Sequence, residues 1–218
     1  MDFGRYLKLF RLVEGLRPEF KKKIRALMKL FWEVDRRSVR FQMKSKIKCS
    51  AGCGQCCESP QVEVTVLEML PLALDLYHRQ DADQWLAKAR EREFSGPCVF
   101  YKPDPLFAGK GRCLAYALRP LLCRLFGFST KRDKYSRPVY VTCKIIKAGL
   151  SAQVRHVQGS PAFLKTLPFM GDYAAKVYNI DPSLGARLYP INEALRIALD
   201  KVSLYFQYYG KNTLPPSR

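Results

Sequence analysis

Histidine is nearly missing from this chain. Its 218 residues include two, His78 and His156, and neither lies at knuckle spacing from a cysteine or from the other, so imidazole is not expected to organise a metal site. His78, in LYHRQ, reads as a helix-end residue set against the dipole, and His156, in VRHVQ, as an exposed one. Long apolar runs are missing too. LEMLPLALDL comes nearest and falls well short of the roughly 20 apolar residues that span a bilayer, so no transmembrane segment is expected. No internal repeat of about 20–50 residues stands out. The opening MDFGRYLKLFRLVEGLRPEF mixes charge with apolar residues and lacks the uninterrupted apolar stretch and small-residue cleavage site of a secretory leader, so a cytoplasmic setting is expected. Acids are scarce, 19 against 38 lysines and arginines, a formal charge of +19. Both flanks lack cysteine, because all eight cysteines lie between positions 49 and 143.

What is present is therefore concentrated. Cys49, Cys53, Cys56 and Cys57 crowd the run KCSAGCGQCCESP, and Cys98, Cys113, Cys123 and Cys143 follow. In a reducing cytoplasm such a cluster points to metal binding or catalysis rather than to disulfides. A ligand knuckle needs two sulfurs two to four residues apart on a tight turn, and Cys53 and Cys56, separated by Gly54 and Gln55, satisfy this. Gly54 also lets backbone N–H groups point toward the thiolates. Cys57 directly follows Cys56, and adjacent side chains on extended backbone diverge, so the pair suggests two metal centres or one polynuclear centre.

These residues carry a resemblance. The run Cys49-x3-Cys53-Gly54-x-Cys56-Cys57, then Gly96-Pro97-Cys98-Val99-Phe100, then Gly111-Arg112-Cys113-x2-Tyr116-x2-Arg119-Pro120-x2-Cys123-Arg124 is similar to the YkgJ-like cysteine-cluster proteins, the CxxCxxCC domain. The similarity covers about Cys49 to Cys143. It departs in its first spacing, x3 where many members have x2, and in Val99 where proline is common. The family is described as zinc- or iron-chelating, so the resemblance implies that Cys49, Cys53, Cys56, Cys57, Cys98, Cys113, Cys123 and Cys143 are metal ligands. Cys49, Cys53 and Cys56 also reproduce the CxxxCxxC spacing of radical S-adenosylmethionine enzymes, but Gln55 stands where those carry an aromatic and no repeated strand–helix units follow. A more distant likeness, confined to the CxxxCxxCC run, is to flagellin lysine methylases, which are much longer.

Zinc or an iron–sulfur cluster, here [4Fe–4S], both take four thiolates, and eight cysteines divide into two such sites. Pro120 pushes Arg119 out of the α region and suits the start of a short helix over Leu121 to Leu125, which would present Cys113 and Cys123 from two sides. Arg119 and Arg124 would then offset the net negative charge of a tetrathiolate centre through N–H···S contacts. Tyr116 reads as a core aromatic with its hydroxyl at the surface. The expected function is metal binding, with a storage, sensing or transfer role. The alternative is an iron–sulfur-dependent enzyme that modifies a protein or nucleic acid.

The frame reads as mainly α with a small β-hairpin, its helices surrounding a Cys-rich core. Residues 1–48 form a basic amphipathic extension, 49–148 the Cys-rich core and 149–218 a helical part packing on it, all in one compact unit. Helices are expected over 2–16 and 18–34, the second packing against the C-terminal helix through Phe20, Ile24, Leu27, Met28, Phe31 and Trp32. QVEV alternates like a strand, and Thr65-x-x-Glu68 is a capping box opening a helix to Tyr77, kinked at Pro71. A helix over 83–94 turns Trp85 and Leu86 inward. Residues 126–130 and 138–142 pair as the hairpin, which returns Cys143 to the cluster. Helices start at Ser160-Pro161 and Asp181-Pro182, and the last, 191–209, stops at Gly210, ahead of a frayed LPPSR tail. Lys21, Lys22, Lys23, Arg25, Lys29, Arg36, Arg37, Arg40, Lys44, Lys46 and Lys48 form one basic stripe, suited to an anionic partner: nucleic acid, an acidic protein or an anionic lipid surface. The aromatic stacking motifs of RNA-binding modules are absent.

Overall fold

A single long helix, α1 (Pro18–Ser45), is the spine of the molecule. The computed structural model describes residues 13–50, 52–92, 96–107 and 109–209. Pro18 at the first helical position and Glu19 in the first turn suit the start of α1. The helix runs a further 11 residues beyond the expected stop at 34, because Ser38, Phe41 and Ser45 continue its buried face. It ends where Lys46 turns left-handed at φ 61° and donates its N–H to Gln42. The expected helix over 2–16 falls largely outside the described residues. Its end, 13–16, forms a turn that buries Val13 and Leu16.

A one-turn helix, α2 (Gln55–Glu58), follows the first cysteines. Then come β1 (Glu63–Thr65), α3 (Val66–His78) and α4 (Ala82–Glu91). The capping box is present at the start of α3, with Thr65 and Glu68 exchanging hydrogen bonds, and Pro71 lies inside the helix. Trp85 is buried on α4 and Leu86 partly so. The strands β2 (Tyr101–Pro103) and β3 (Gly111–Cys113) pair antiparallel with Tyr101 opposite Cys113. A 3₁₀ turn (Tyr116–Leu118) leads to α5 (Leu121–Leu125).

The expected hairpin is present as β4 (Ser129–Arg132) with β5 (Pro138–Val141), again antiparallel. Its first strand begins three residues late because Gly127, at φ 89°, completes a turn out of α5. Four short helices follow, α6 (Lys144–Gly149), α7 (Ser151–Gln158), α8 (Pro161–Thr166) and α9 (Met170–Ile180). Then α10 (Pro182–Gly185) and β6 (Leu188–Pro190) lead into α11 (Ile191–Tyr209). Ser160 and Asp181 cap α8 and α10 through their side-chain oxygens. β6 pairs with β1 and joins the C-terminal part to the start of α3. Gly210 and the tail lie outside the described residues. No helix among the described residues is long and apolar enough to cross a membrane.

The packing differs from expectation in one respect. The inner face of α1 meets α5, α9, α3 and α8, whereas α11 lies along α3 and α4. α1 touches α11 at its start, where the Phe20 and Tyr205 rings are 4.7 Å apart and Arg17 N–H donates to Tyr205 Oη. Two hydrophobic clusters result. The larger gathers Ile24 to Val34 of α1 with α3, α4, α5, α9 and α11, and the smaller gathers Phe41, Ile47, Phe128, Tyr140, Ile146, Val157, Leu164 and Leu167. α1 contributes to both, which is why its length matters. The cysteine-bearing loops lie where these clusters meet, with Cys98 in the larger and Cys57, Cys113 and Cys123 packed against it, and with Cys143 packed against the smaller.

Candidate metal centre

The knuckle is built around one aromatic ring. Gly54 caps α2, and its carbonyl accepts the N–H groups of Cys57 and Glu58 at 2.8 and 3.2 Å. A Cβ on Gly54 would lie 2.1 Å from a Tyr101 ring carbon, and one on Gly111 would lie 2.3 Å from the same atom. The two glycines therefore leave the space that the ring fills. Tyr101 Oη donates to Glu58 Oε1 at 2.8 Å, and that bond, ahead of all other causes, pushes the Tyr101 phenol up to about 12. An isolated bridge between Cys53 and Lys110 and the N–H of Cys98 on Cys57 O, 2.9 Å, join the knuckle to the loops carrying Cys98 and Cys113. Sequence reasoning passed over Tyr101. The only trace it left there was glycine at both 54 and 111.

Cys123 arrives on α5, which is fixed at both ends. Glu68, the capping-box acid of α3, also accepts the Leu121 N–H at 2.9 Å, so one buried carboxylate serves two helix N-termini. Burial raises the Glu68 carboxyl, opposed by the N–H and hydroxyl of Thr65 and the N–H groups of Leu121 and Leu122. At the other end the buried Arg124 donates to the carbonyls of Ala117 and Arg119 and to Asp35 of α1, and lies over the Phe31 ring at 4.3 Å. Arg119 pairs with Asp35 at 3.0 Å and covers Tyr116 at 3.9 Å. Tyr116 is thus exposed at 57%, not a core residue, because the 3₁₀ turn faces it outward under the guanidinium.

All eight cysteines are free thiols. Cys57 shares hydrogen bonds with Cys56 and Cys113, Cys98 lies within electrostatic reach of Cys113 and Cys56, and Cys123 within reach of Cys98, Cys56 and Cys113. These five form an inner group, drawn from four separate stretches of chain. Cys49, exposed, donates a hydrogen bond to Cys53 and lies within electrostatic reach of Cys56 and Cys143. The outer group is therefore Cys49, Cys53 and Cys143, with Cys56 adjoining both. Cys143 Sγ also accepts the Ile146 N–H at 3.3 Å and caps α6.

Charge is unevenly shared within the cluster. Hydrogen bonding from Cys57 lowers the Cys56 thiol to about 6, against the opposing effect of burial, with its own backbone N–H and the Arg119 charge assisting. The same partner lowers Cys113, again with help from Arg119. Cys57, the shared donor, is pushed up, and burial raises Cys98 to about 12, Cys49 to about 11 and Cys123 as well. Arg119 thus acts on Cys56, Cys113 and Cys123 through space, whereas Arg124 is engaged with Asp35, two carbonyls and Phe31. His78 ends α3 against the Phe206 ring, and His156 is exposed on α7.

The donor set tests what such a cluster can hold. It is all sulfur and free of competing disulfides, which suits zinc and iron. No three described His, Cys, Asp or Glu side chains stand in ready-made coordinating geometry.

Residues 48–144 match the model of the CxxCxxCC family. That family is described as a putative zinc- or iron-chelating domain, and the matched span contains every cysteine of the chain. It is the family that the cysteine motifs resemble. No curated protein and no solved structure matches the chain. The CxxCxxCC segment is less than half of the chain, and the spine helix, α9 and α11 lie outside it.

Proposed function

We propose that the CxxCxxCC segment holds zinc or iron through its cysteine thiolates, and that the protein stores, senses or passes on that metal. The observation carrying this reading is the gathering of Cys56, Cys57, Cys98, Cys113 and Cys123 from four stretches of chain. The inner group is the main site. The outer group of Cys49, Cys53 and Cys143 is a second, more open site reached through Cys56. When bound, the metal supplies a cross-link between the loops. The chain supplies thiolates, the Arg119 charge that favours them, and the Tyr101 ring that sets the knuckle. Segments 1–48 and 149–218 serve as the packing frame for 49–148.

Protein purified without oxygen, then subjected to elemental analysis and a visible spectrum, separates the metals. Zinc gives up to about two ions per chain by four-thiolate arithmetic and no visible band. Iron with inorganic sulfide and broad visible absorption identifies a cluster. Changing Cys56, Cys98, Cys113 or Cys123 to Ser should lower metal content and thermal stability together, because binding and folding are linked. Full metal content in all four variants, or eight titratable thiols in protein that takes up no metal, would overturn the assignment.

A further inference from the structure

The outward face of α1 carries exposed Lys22, Arg25, Lys29, Arg36, Arg40 and Lys44. Their spacings of three, four and seven place them on one side of the helix. From Lys22 to Lys44 the stripe is about 33 Å long at 1.5 Å per residue, close to one helical turn of duplex DNA, about 34–36 Å. Of the acids of α1, Asp35 lies on the opposite side of the helix, whereas Glu33 falls on the line between Lys29 and Arg36 and the exposed Glu19 lies one turn before Lys22. Glu33 accepts from Tyr173 Oη at 2.6 Å and pairs with Lys176, and Asp35 is held by Arg119 and Arg124. Two of the basic residues off the line have structural work: Lys23 pairs with Asp181 at 2.7 Å, and Arg37 donates to the carbonyls of Lys165, Thr166 and Leu167 at the end of α8. Lys22, Arg25, Lys29, Arg40 and Lys44 have no acidic partner among the described residues.

We infer that this face binds the phosphate backbone of a nucleic-acid duplex, without reading its sequence. A row of six cations, whose one intervening acid, Glu33, is taken up by Lys176 and Tyr173, complements a linear polyanion. The one aromatic side chain beside the row, Trp32, is half-buried and covered by Arg36 at 4.6 Å, so no stacking platform is offered to single-stranded bases. A lipid surface fits less well. The apolar side of α1 is buried in both hydrophobic clusters, and the exposed apolar residues on α1 are limited to Val39 and Met43, so nothing larger is available to insert. The row ends at Lys44, Lys46 and Lys48, directly before Cys49, and so leads to the open edge of the thiol cluster.

Anisotropy of a labelled 30-base-pair duplex against salt concentration tests this. Six phosphate contacts give a slope of log affinity on log salt of about −5, roughly a 10³-fold loss between 50 and 200 mM. Changing Lys22, Arg25 and Lys29 to Ala should reduce the slope to about −3, leaving a loss of only about 40-fold over the same range. Changing Lys131, Lys134 and Lys147 to Ala removes equal charge from other elements and should leave the slope near −5. An equal drop in both triple variants, no duplex binding at 50 mM salt, or binding to phosphatidylserine vesicles in place of the duplex would overturn the inference. Metal content measured on the same preparations keeps this outcome separate from the metal reading.

Discussion

Tyr101 shapes the cysteine knuckle by packing. Its ring occupies the space left by Gly54 and Gly111, and its hydroxyl reaches Glu58 at the end of α2. Adding a methyl at Gly54 drives it into ring carbons or shifts the turn that spaces Cys53 from Cys56. Gly54→Ala should therefore cost about 1–3 kcal/mol, the range for overpacking a filled site, and should lower metal uptake with it. The double variant Gly54→Ala with Tyr101→Ala separates a steric cause from a conformational one. If the clash is the cause, the second change recovers part of the lost melting temperature; if the double variant is merely additive, the glycine is needed for its backbone instead. The glycine was visible in the sequence as part of a turn. Its partner was not, since Tyr101 lies 47 positions away and nothing local marks it.

Among the elements, those whose signals are local were legible and those that depend on a distant partner were not. The Thr65–Glu68 capping box, the Ser160 and Asp181 caps and the Pro120 start of α5 were all readable, because each joins residues within four positions of one another. The true end of α1 was hidden in DRRSVRFQMKS, where charge masks a face carried by Ser38, Phe41 and Ser45. Glu68 was readable as the cap of one helix but not of the second, because its bond to Leu121 spans 53 positions. Asp181 gives the element-scale prediction. Burial raises its carboxyl, but the Lys23 ammonium, the Ser183 hydroxyl and the Leu184 N–H outweigh this and hold it below the usual carboxylate value. The unfolded chain therefore takes up this proton at a higher pH than the folded one. The stabilisation is complete above about pH 4, the ordinary aspartate value, and is lost as pH falls through the lower folded value. Asp181→Asn keeps a capping oxygen and removes the charge. In urea unfolding from pH 7 to 3, the gap between wild type and variant should close below about pH 4; a constant gap would show that the cap alone matters.

At the scale of the whole molecule, α1 and the cysteine loops are joined through Asp35. That carboxylate holds Arg119 and Arg124 together, and Arg124 in turn fixes the 3₁₀ turn and α5, so the position of Cys123 depends on a residue outside the CxxCxxCC segment. A family likeness confined to 48–144 cannot reveal such a tie, and in the sequence Asp35 is simply one acid among the bases of α1. Removing it takes the paired carboxylate away from the buried Arg124, and breaking a buried ion pair ordinarily costs about 3–5 kcal/mol. Asp35→Ala should then weaken metal retention and folding together, without touching a thiol. Two further measurements identify the cause. Replacing Asp35 and Arg124 together by Leu and Met removes the buried charge and should recover most of the stability. Excess metal should raise the melting temperature of Asp35→Ala more slowly than that of wild type, because a ligand stabilises only the state whose site is assembled. Wild-type metal retention in Asp35→Ala would mean that α5 keeps Cys123 in place without α1, and that the frame and the centre fold independently.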